Sequence, residues 1–314
     1  MCTKQRAFTL IELMVVIGII GLLLAILLPS LSAARTQAKI SATKATLSVL
    51  DMGLEAFRAD SSLGGAYPPS GALPARDPRQ PPPADLPANA PTQGAELLVW
   101  GLAGADRLGT PGFPDNPPWR LNCNGGKDVA QPGLYSLQTN PNNMNDVRPF
   151  YPRKGPFIDI NKVKILNRND PVPVASEPPA PAMCVLDTFD RPILYYRATP
   201  GSPVMAADDY TYTNAGIYNL PDNSQFTGDT SISKPGLNLG GGVLHPFAAL
   251  GIVGPNYSDV VAATNKGTFA YYIADSKITV KPTAQRPDSY LLISAGPDGK
   301  YGTADDVTNF KPNY

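Results

Sequence analysis

From Phe8 to Leu28 the chain is an almost unbroken apolar run, interrupted by Thr9, Glu12, Gly18 and Gly21. A helix of about 20 apolar residues crosses the hydrocarbon core of a bilayer, so this run is long enough to span one. Beyond Pro29 the pattern changes to a single stripe. Ile40, Leu47, Leu50, Leu54 and Phe57 recur at the three-and-four spacing of one buried helix face, while Lys39, Lys44, Asp51, Glu55 and Arg58 fall mostly elsewhere. Together these segments predict one helix from Phe8 to about Asp60, roughly 80 Å long at 1.5 Å per residue. Pro29 removes an internal hydrogen bond and is expected to kink or locally melt it. The lower half belongs in lipid or a filament core. The upper half should lay its stripe on a globular head.

Residues 61–93 break the helical pattern. Pro68, Pro69, Pro74, Pro78, Pro81, Pro82, Pro83, Pro87 and Pro91 crowd a stretch poor in large apolar side chains, which reads as an extended surface loop or linker. Residues 94–104 read as a short amphipathic helix. Loop-rich chain follows over 109–156 and again over 171–181. Strand signals gather in the second half, at 157–166, 192–197, 210–213, 268–273 and 290–294, as β-branched and aromatic runs bounded by Gly, Pro, Asn or Asp. Tyr195, Tyr196, Tyr271, Tyr272 and Tyr290 should supply aromatic packing to a small antiparallel sheet. The expected fold class is α+β: a long N-terminal α-helix packed on a small antiparallel β-sheet head with long Pro/Gly-rich loops.

Charge sharpens this picture. Glu12 lies inside the apolar run, where an ionisable side chain costs a few kcal/mol or more and normally has a partner. Lys4 and Arg6 precede the run and should hold the N-terminus in the cytoplasm, sending the remaining chain across the membrane. An ordinary secretory signal, cut after Ser32-Ala33-Ala34, competes with this reading. The apolar run is longer than the usual 7–15 residues of such a signal and contains Glu12. A plain membrane anchor also fits the hydropathy. Overall, 26 basic residues balance 26 acidic ones, and no Lys/Arg cluster suggests a nucleic-acid groove.

The segment beginning Phe8-Thr-Leu-Ile-Glu12 resembles the N-terminal signal of type IV pilins and of type II secretion pseudopilins. The resemblance implies that a prepilin peptidase cuts between Ala7 and Phe8 and methylates the new N-terminus at Phe8. The family usually has Gly before the cut, and Ala7 keeps a small side chain there. Residues 1–7 would then be a leader, 8–60 the assembly helix, and 61–314 a periplasmic or extracellular head. A freed amine at Phe8 of a neighbouring subunit would pair with Glu12, so that in-register docking neutralises two buried charges and sets axial stagger. A Glu12 close enough to the helix end to reach the interface is the plainer alternative. Pro29 also falls where the family often has proline. With the leader removed Cys2 is lost, leaving Cys123 and Cys184 on the exported side, where a disulfide or two unpaired buried thiols both fit.

Two further stretches carry the resemblance. The segment from Asp187-Thr-Phe-Asp-Arg-Pro192 to Tyr196 is similar to a hairpin of the major pseudopilins, except that Asp190 stands where the pattern has Gly. At the C-terminus, Asp298, Asp305 and Asp306 bracket a loop rich in glycine. Calcium takes six to eight oxygens, supplied by carboxylates and backbone carbonyls. Gly296, Gly299 and Gly302 permit the tight turns that would aim carbonyls inward. The loop, 294–307, resembles the calcium loop of the major pseudopilins, which implies side-chain ligation by Asp298, Asp305 and Asp306 and a carbonyl from Lys300 or Tyr301. A Pro-Asp-Gly turn followed by a solvated acidic pair is the alternative.

The single histidine, His245, has no second His for a zinc pair and no accompanying nucleophile motif. Residues 240–242 lack the Lys-Ser/Thr ending of a phosphate loop. No enzyme is expected, and His245 reads as an ordinary head residue. The resemblance implies a structural subunit of a type II secretion pseudopilus or related filament, assembled from the bacterial inner membrane. Its partners would be other copies of the chain, prepilin peptidase, the assembly platform and minor pseudopilins. A pilus-borne adhesin or sugar-binding head using the long loops is the alternative from a different class, and a secreted hydrolase is a third.

Overall fold

The computed structural model describes residues 10–71, 93–104, 107–113, 137–140, 143–149, 152–167, 183–208, 215–227 and 245–314. Helix α1, Leu10–Ala59, is 50 residues long and continues through Pro29 without a break. The expected local melting at Pro29 does not occur. Around it the Ser30 hydroxyl donates to the Leu27 carbonyl and that of Ser32 to the Pro29 carbonyl, as Ser side chains in helices do.

Burial divides α1 sharply. From Leu10 to Leu31 its large apolar side chains stand exposed, whereas Leu47, Leu50, Leu54 and Phe57 are buried and Ile40 is partly buried. Each buried Leu or Phe contributes about 1.5–3 kcal/mol relative to exposure. Gly53 interrupts the stripe because the helix runs close to the head there. A Cβ at Gly53 would lie 2.5 Å from Ile158 Cγ2. Helix α2, Gly94–Leu102, forms where expected, but all nine residues are buried and it has no solvent face. The expected amphipathic helix is an interior one.

The strands are β1 (Leu137–Asn140), β2 (Asn143–Pro149), β3 (Lys164–Asn167), β4 (Met183–Leu186), β5 (Leu194–Arg197), β6 (Ala206–Ala207), β7 (Tyr218–Asn219), β8 (Tyr290–Ser294) and β9 (Val307–Thr308). Strands β1 and β2 form an antiparallel pair, as do β3 and β4. A three-stranded antiparallel sheet has the order β5-β8-β9, with Tyr195 opposite Leu292 and Ser294 opposite Val307. The bridge between Leu186 and Pro192, with the Ile193 N–H donating to the Val185 carbonyl, joins β4 to the start of β5. The short β6–β7 pair is parallel, a departure from the all-antiparallel expectation.

Alternate residues of β4, β5 and β8 feed two cores. Met183, Val185, Tyr195, Tyr290 and Leu292 pack with α1, α2 and Tyr67. Cys184, Leu186, Leu194, Tyr196, Leu291 and Ile293 pack against chain from 198–227 and 250–274. The continuous apolar character of these strands follows from burial on both faces. The second cover is irregular, with short helices α3 (Ser224–Thr227), α4 (Tyr257–Val260) and α5 (Phe269–Ile273).

Three sequence expectations change here. Residues 268–273 form α5 rather than a strand, because Phe269, Ala270, Tyr272 and Ile273 are the buried positions, a helical spacing. Within 157–166 only the end is extended. Asp159 caps a single helical turn at Ile160–Lys162 before β3 begins. The opening of the Pro-rich segment is not a surface loop. Tyr67, Pro68 and Ser70 are buried, and the Tyr195 hydroxyl donates to the Pro68 carbonyl at 2.6 Å. The strand expected at 210–213, and residues 72–92 of the Pro-rich segment, lie outside the described residues.

Candidate assembly helix and acidic C-terminal loop

Two regions carry candidate function, and a network of named contacts joins them. The first is the lower half of α1. Glu12 lies in its first turn, on a helix whose flanking Ile11, Leu13, Val15 and Val16 are all exposed. Among the described residues, α1 is the one helix long and apolar enough to cross a membrane. Exposed apolar surface of this extent has no partner among the described residues and marks an interface with lipid or protein. Ala7 and Phe8, the expected processing site, lie outside the described residues.

The neck, where α1 meets the head, is held by the turn at 187–191. Asp187 is buried and acts as the hub of this turn. Its carboxylate accepts the N–H groups of Phe189 (2.7 Å) and Arg191 (2.9 Å) and the Ser294 hydroxyl (2.6 Å). Burial raises its pKa, opposed by the hydrogen bond from Ser294. Asp190 adopts φ +66°, so the position that carries Gly in the similar hairpin does require the left-handed conformation. Its carboxylate pairs with Lys164, which lowers its pKa. Thr188 then ties the turn to α1. Its hydroxyl donates to the Lys39 carbonyl at 2.8 Å and bonds the Thr43 hydroxyl at 2.8 Å, while the Lys39 ammonium lies over the Phe189 ring.

The second region is the loop from Gly296 to Asp306. Its carboxylates are largely engaged within the loop. Asp298 accepts the Lys300 N–H at 2.7 Å, and Asp305 accepts the Asp298 N–H (2.8 Å) and the Thr303 hydroxyl (2.6 Å). Asp306 Oδ2 accepts the Tyr272 hydroxyl (2.5 Å) and the Gly302 N–H (2.8 Å), while its Oδ1 is buried with no hydrogen-bond partner. Burial pushes its carboxyl up to about 7. Gly296, Gly299 and Gly302 all take positive φ, and a side chain at Gly299 would press on the Arg191 guanidinium. Among the described residues no three His, Cys, Asp or Glu side chains form a ready-made metal group. The orphaned Oδ1 on a buried carboxylate is nevertheless the feature a cation would satisfy, and an all-oxygen donor set suits calcium rather than a softer metal.

His245 is not a bystander. It is buried, and Nδ1 accepts the Tyr301 N–H at 3.2 Å, while the Tyr301 hydroxyl donates to the Pro192 carbonyl at 2.6 Å. Burial, reinforced by Arg191, lowers the imidazole pKa, so the neutral ring is the one that accepts. The acidic loop is thereby bolted to the turn that holds the neck. Cys184 is buried in β4, and Cys123 lies outside the described residues, so their pairing does too.

Residues 2–28 match the family described as the prokaryotic N-terminal methylation motif. The match covers the run around Glu12, and the long apolar helix that follows has the matching architecture. That motif and the helix that follows it are consistent with a type IV pilin-like N-terminus. No curated protein and no solved structure matches it. A pilin-like N-terminus of this kind implies processing by prepilin peptidase and filament assembly. The single apolar N-terminal helix is consistent with membrane anchoring, and the long helix followed by small antiparallel sheets with the pilin fold.

Several contributors were not singled out from sequence. Asp187 offered a signal, since an Asp whose oxygen caps N–H groups two and four residues later is a common turn device. Tyr272 was expected in aromatic packing but not beside the acidic loop, and Ser294 and Thr43 offered no signal, because the partners of these three are 34, 107 and 145 residues away.

Proposed function

We propose that the chain is a structural subunit of a type II secretion pseudopilus or a closely related type IV pilus-like filament. The observation that carries this reading is the division of α1. Its upper half lays one buried stripe on the head, whereas its lower half is exposed, apolar and marked by one acid, Glu12, within the methylation motif. After cleavage before Phe8, the new amine would meet Glu12 of a neighbouring copy. The two charges then cancel only in register. The head would be carried outward, on the far side of the inner membrane, and the chain would act without catalysis. Its partners are other copies, the prepilin peptidase, an assembly platform and minor subunits.

Calcium is proposed as a structural ion of the acidic loop, held by Asp306 with Asp298 and Asp305 and a carbonyl from Lys300 or Tyr301. What supports this is the orphaned Asp306 Oδ1 and the three positive-φ glycines. Bound calcium would supply positive charge to a buried carboxylate, keeping it ionised. Through Tyr301 and Pro192 it would also steady the 187–191 turn. The adhesin alternative calls for exposed aromatics around a concave face, and Tyr195, Tyr196, Tyr218, Tyr272, Tyr290 and Tyr301 are instead buried.

The deciding experiment is intact-mass and N-terminal analysis of the mature protein from native membranes, paired with Glu12→Ala. A methylated Phe8 start, with polymer lost in the variant, is the expected result. A start near Arg35, or an uncut chain, overturns the subunit reading.

A further inference from the structure

The charges of α1 are sorted by sign along its length. Between Leu13 and Leu50 its charged residues are Arg35, Lys39 and Lys44, all exposed, and the next acid is Asp51. The apolar stretch from Leu10 to Leu31 is about 33 Å long at 1.5 Å per residue, close to the hydrocarbon thickness of a bilayer. Arg35 then stands about 6 Å beyond the hydrocarbon edge, within a headgroup layer roughly 5–7 Å deep. Lys39 stands about 12 Å beyond the edge and Lys44 about 20 Å. Side chains on a helix lean toward its N-terminus, here toward the bilayer, so Lys39 reaches back toward the level of Arg35.

Arg35 and Lys39 are four residues apart and share a helix face. Like charges at this spacing repel, and an anion held between them turns the repulsion into attraction. Their side also matters. Cations normally gather on the cytoplasmic side of a span, because that bias orients insertion. Arg35 and Lys39 lie on the other side, against the bias, and the cleavage proposed above removes Lys4 and Arg6 from the cytoplasmic side.

The head meets α1 at this level. Thr188 bonds the Lys39 carbonyl and the Thr43 hydroxyl, which holds the 187–191 turn beside the same stretch of helix. The Lys39 ammonium lies 5.3 Å from the centre of the Phe189 ring, a contact that steadies the cation without neutralising it. The turn carries two acids. Asp190 faces Lys39, but its carboxylate already holds the Lys164 ammonium, and Asp187 is buried and turned to Ser294. Arg191 adds a further cation.

We propose that Arg35 and Lys39 clamp the phosphate of an anionic phospholipid in the outward-facing leaflet of the membrane, with Phe189 as the apolar flank of the site. This inference rests on the membrane-inserted subunit reading above and adds a ligand to it. Charge selects the occupant, since the lower neck is basic and a phosphate layer lies at its depth. Extraction of the chain into a filament must then release that lipid.

The test uses the full chain, purified from membranes and placed in nanodiscs of equal parts phosphatidylglycerol and phosphatidylcholine. Native mass spectrometry counts the lipids that stay with the protein on ejection from the disc. The wild-type chain is expected to keep phosphatidylglycerol in preference. Arg35→Gln and Lys39→Gln should each lower that preference about fivefold, the effect of removing one cation beside an anionic surface. Lys44→Gln, farther from the layer, should change it by less than about twofold. The three side chains are exposed, so the melting temperature of the head should not move. Undiminished preference when both Arg35 and Lys39 are replaced overturns the clamp. Equal retention of the two lipids by the wild-type chain overturns it too, as does a preference that follows Lys44 instead. A chain that does not enter the discs overturns the membrane-inserted reading, and the clamp with it.

Discussion

The two halves of α1 are covalently one helix and energetically two different objects. Above Ile40, the head covers a narrow stripe and leaves the opposite face to small side chains. Below Leu31, the described apolar side chains point in every direction, and no described residue covers them. A stripe is what a helix needs to bind one neighbour. An apolar surface all round is what it needs to be surrounded, by lipid first and by other copies afterwards. The upper half therefore reports on folding and the lower half on assembly, and substitutions should separate the two.

The sharpest way to break the distinction is Leu54→Ala. This side chain is fully buried, and its truncation should cost about 2–5 kcal/mol of head stability. Denaturant unfolding in detergent, followed through the fluorescence of buried Trp100, would measure it. An effect below 1 kcal/mol would mean that the head does not depend on the stripe.

Next in size is the hub of the neck. Asp187→Ala strands two N–H groups and the Ser294 hydroxyl, each about 1–3 kcal/mol if left dry. The same fluorescence signal reads the loss, and faster proteolysis between α1 and the head should accompany it.

Third is the pH dependence of the acidic loop. The Asp306 carboxyl is raised from 3.8 to about 7 in the folded state. A raised acid binds its proton more tightly when folded, so its contribution is complete below its ordinary 3.8 and is lost progressively as pH rises from there through about 7. The slope is about 1.4 kcal/mol per pH unit at most. His245 acts oppositely. Its lowered pKa gives stability present above its ordinary 6.5 and lost as pH falls below it. Calcium-free protein should therefore weaken as pH rises from about 6.5 to 7, where Asp306 still titrates and His245 no longer opposes it. Millimolar calcium should raise the melting temperature at pH 8, and Asp306→Asn should remove both responses. A calcium-independent melting curve at pH 8 would sink the structural-ion proposal.

Smaller still is Asp190→Gly. Relief of the left-handed φ stabilises by about 1 kcal/mol, and the lost exposed pair with Lys164 offsets part of it. A net gain measured by the same unfolding curve is expected, and a loss would give the ion pair the larger share. At the far end, Ile19→Ala should leave head stability within about 0.5 kcal/mol, because the side chain stands exposed to solvent.

Much of this was legible in sequence because it is periodic or local. The stripe through Leu47, Leu50, Leu54 and Phe57 needed only helix geometry, and residues 290–294 became a strand as their composition indicated. Residues 268–273 misled because β-branched and aromatic side chains suit any buried surface, and the local spacing of burial made that segment a helix. The burial of Glu96, in an otherwise apolar α2, was equally hidden from local pattern.

The N-terminal chemistry was therefore fixed by order along the chain: a long apolar run, one acid, a small residue before Phe8, and a stripe after Pro29. These features act through a helix, in which neighbours in space are neighbours in sequence. The acidic loop required the tertiary structure. Its three carboxylates were visible, but only folding buried Asp306, brought Tyr272 and His245 to the loop, and tied Tyr301 through Pro192 to the neck. Burial is a property of distant chain segments meeting, and it is burial that gives those groups their altered charge behaviour.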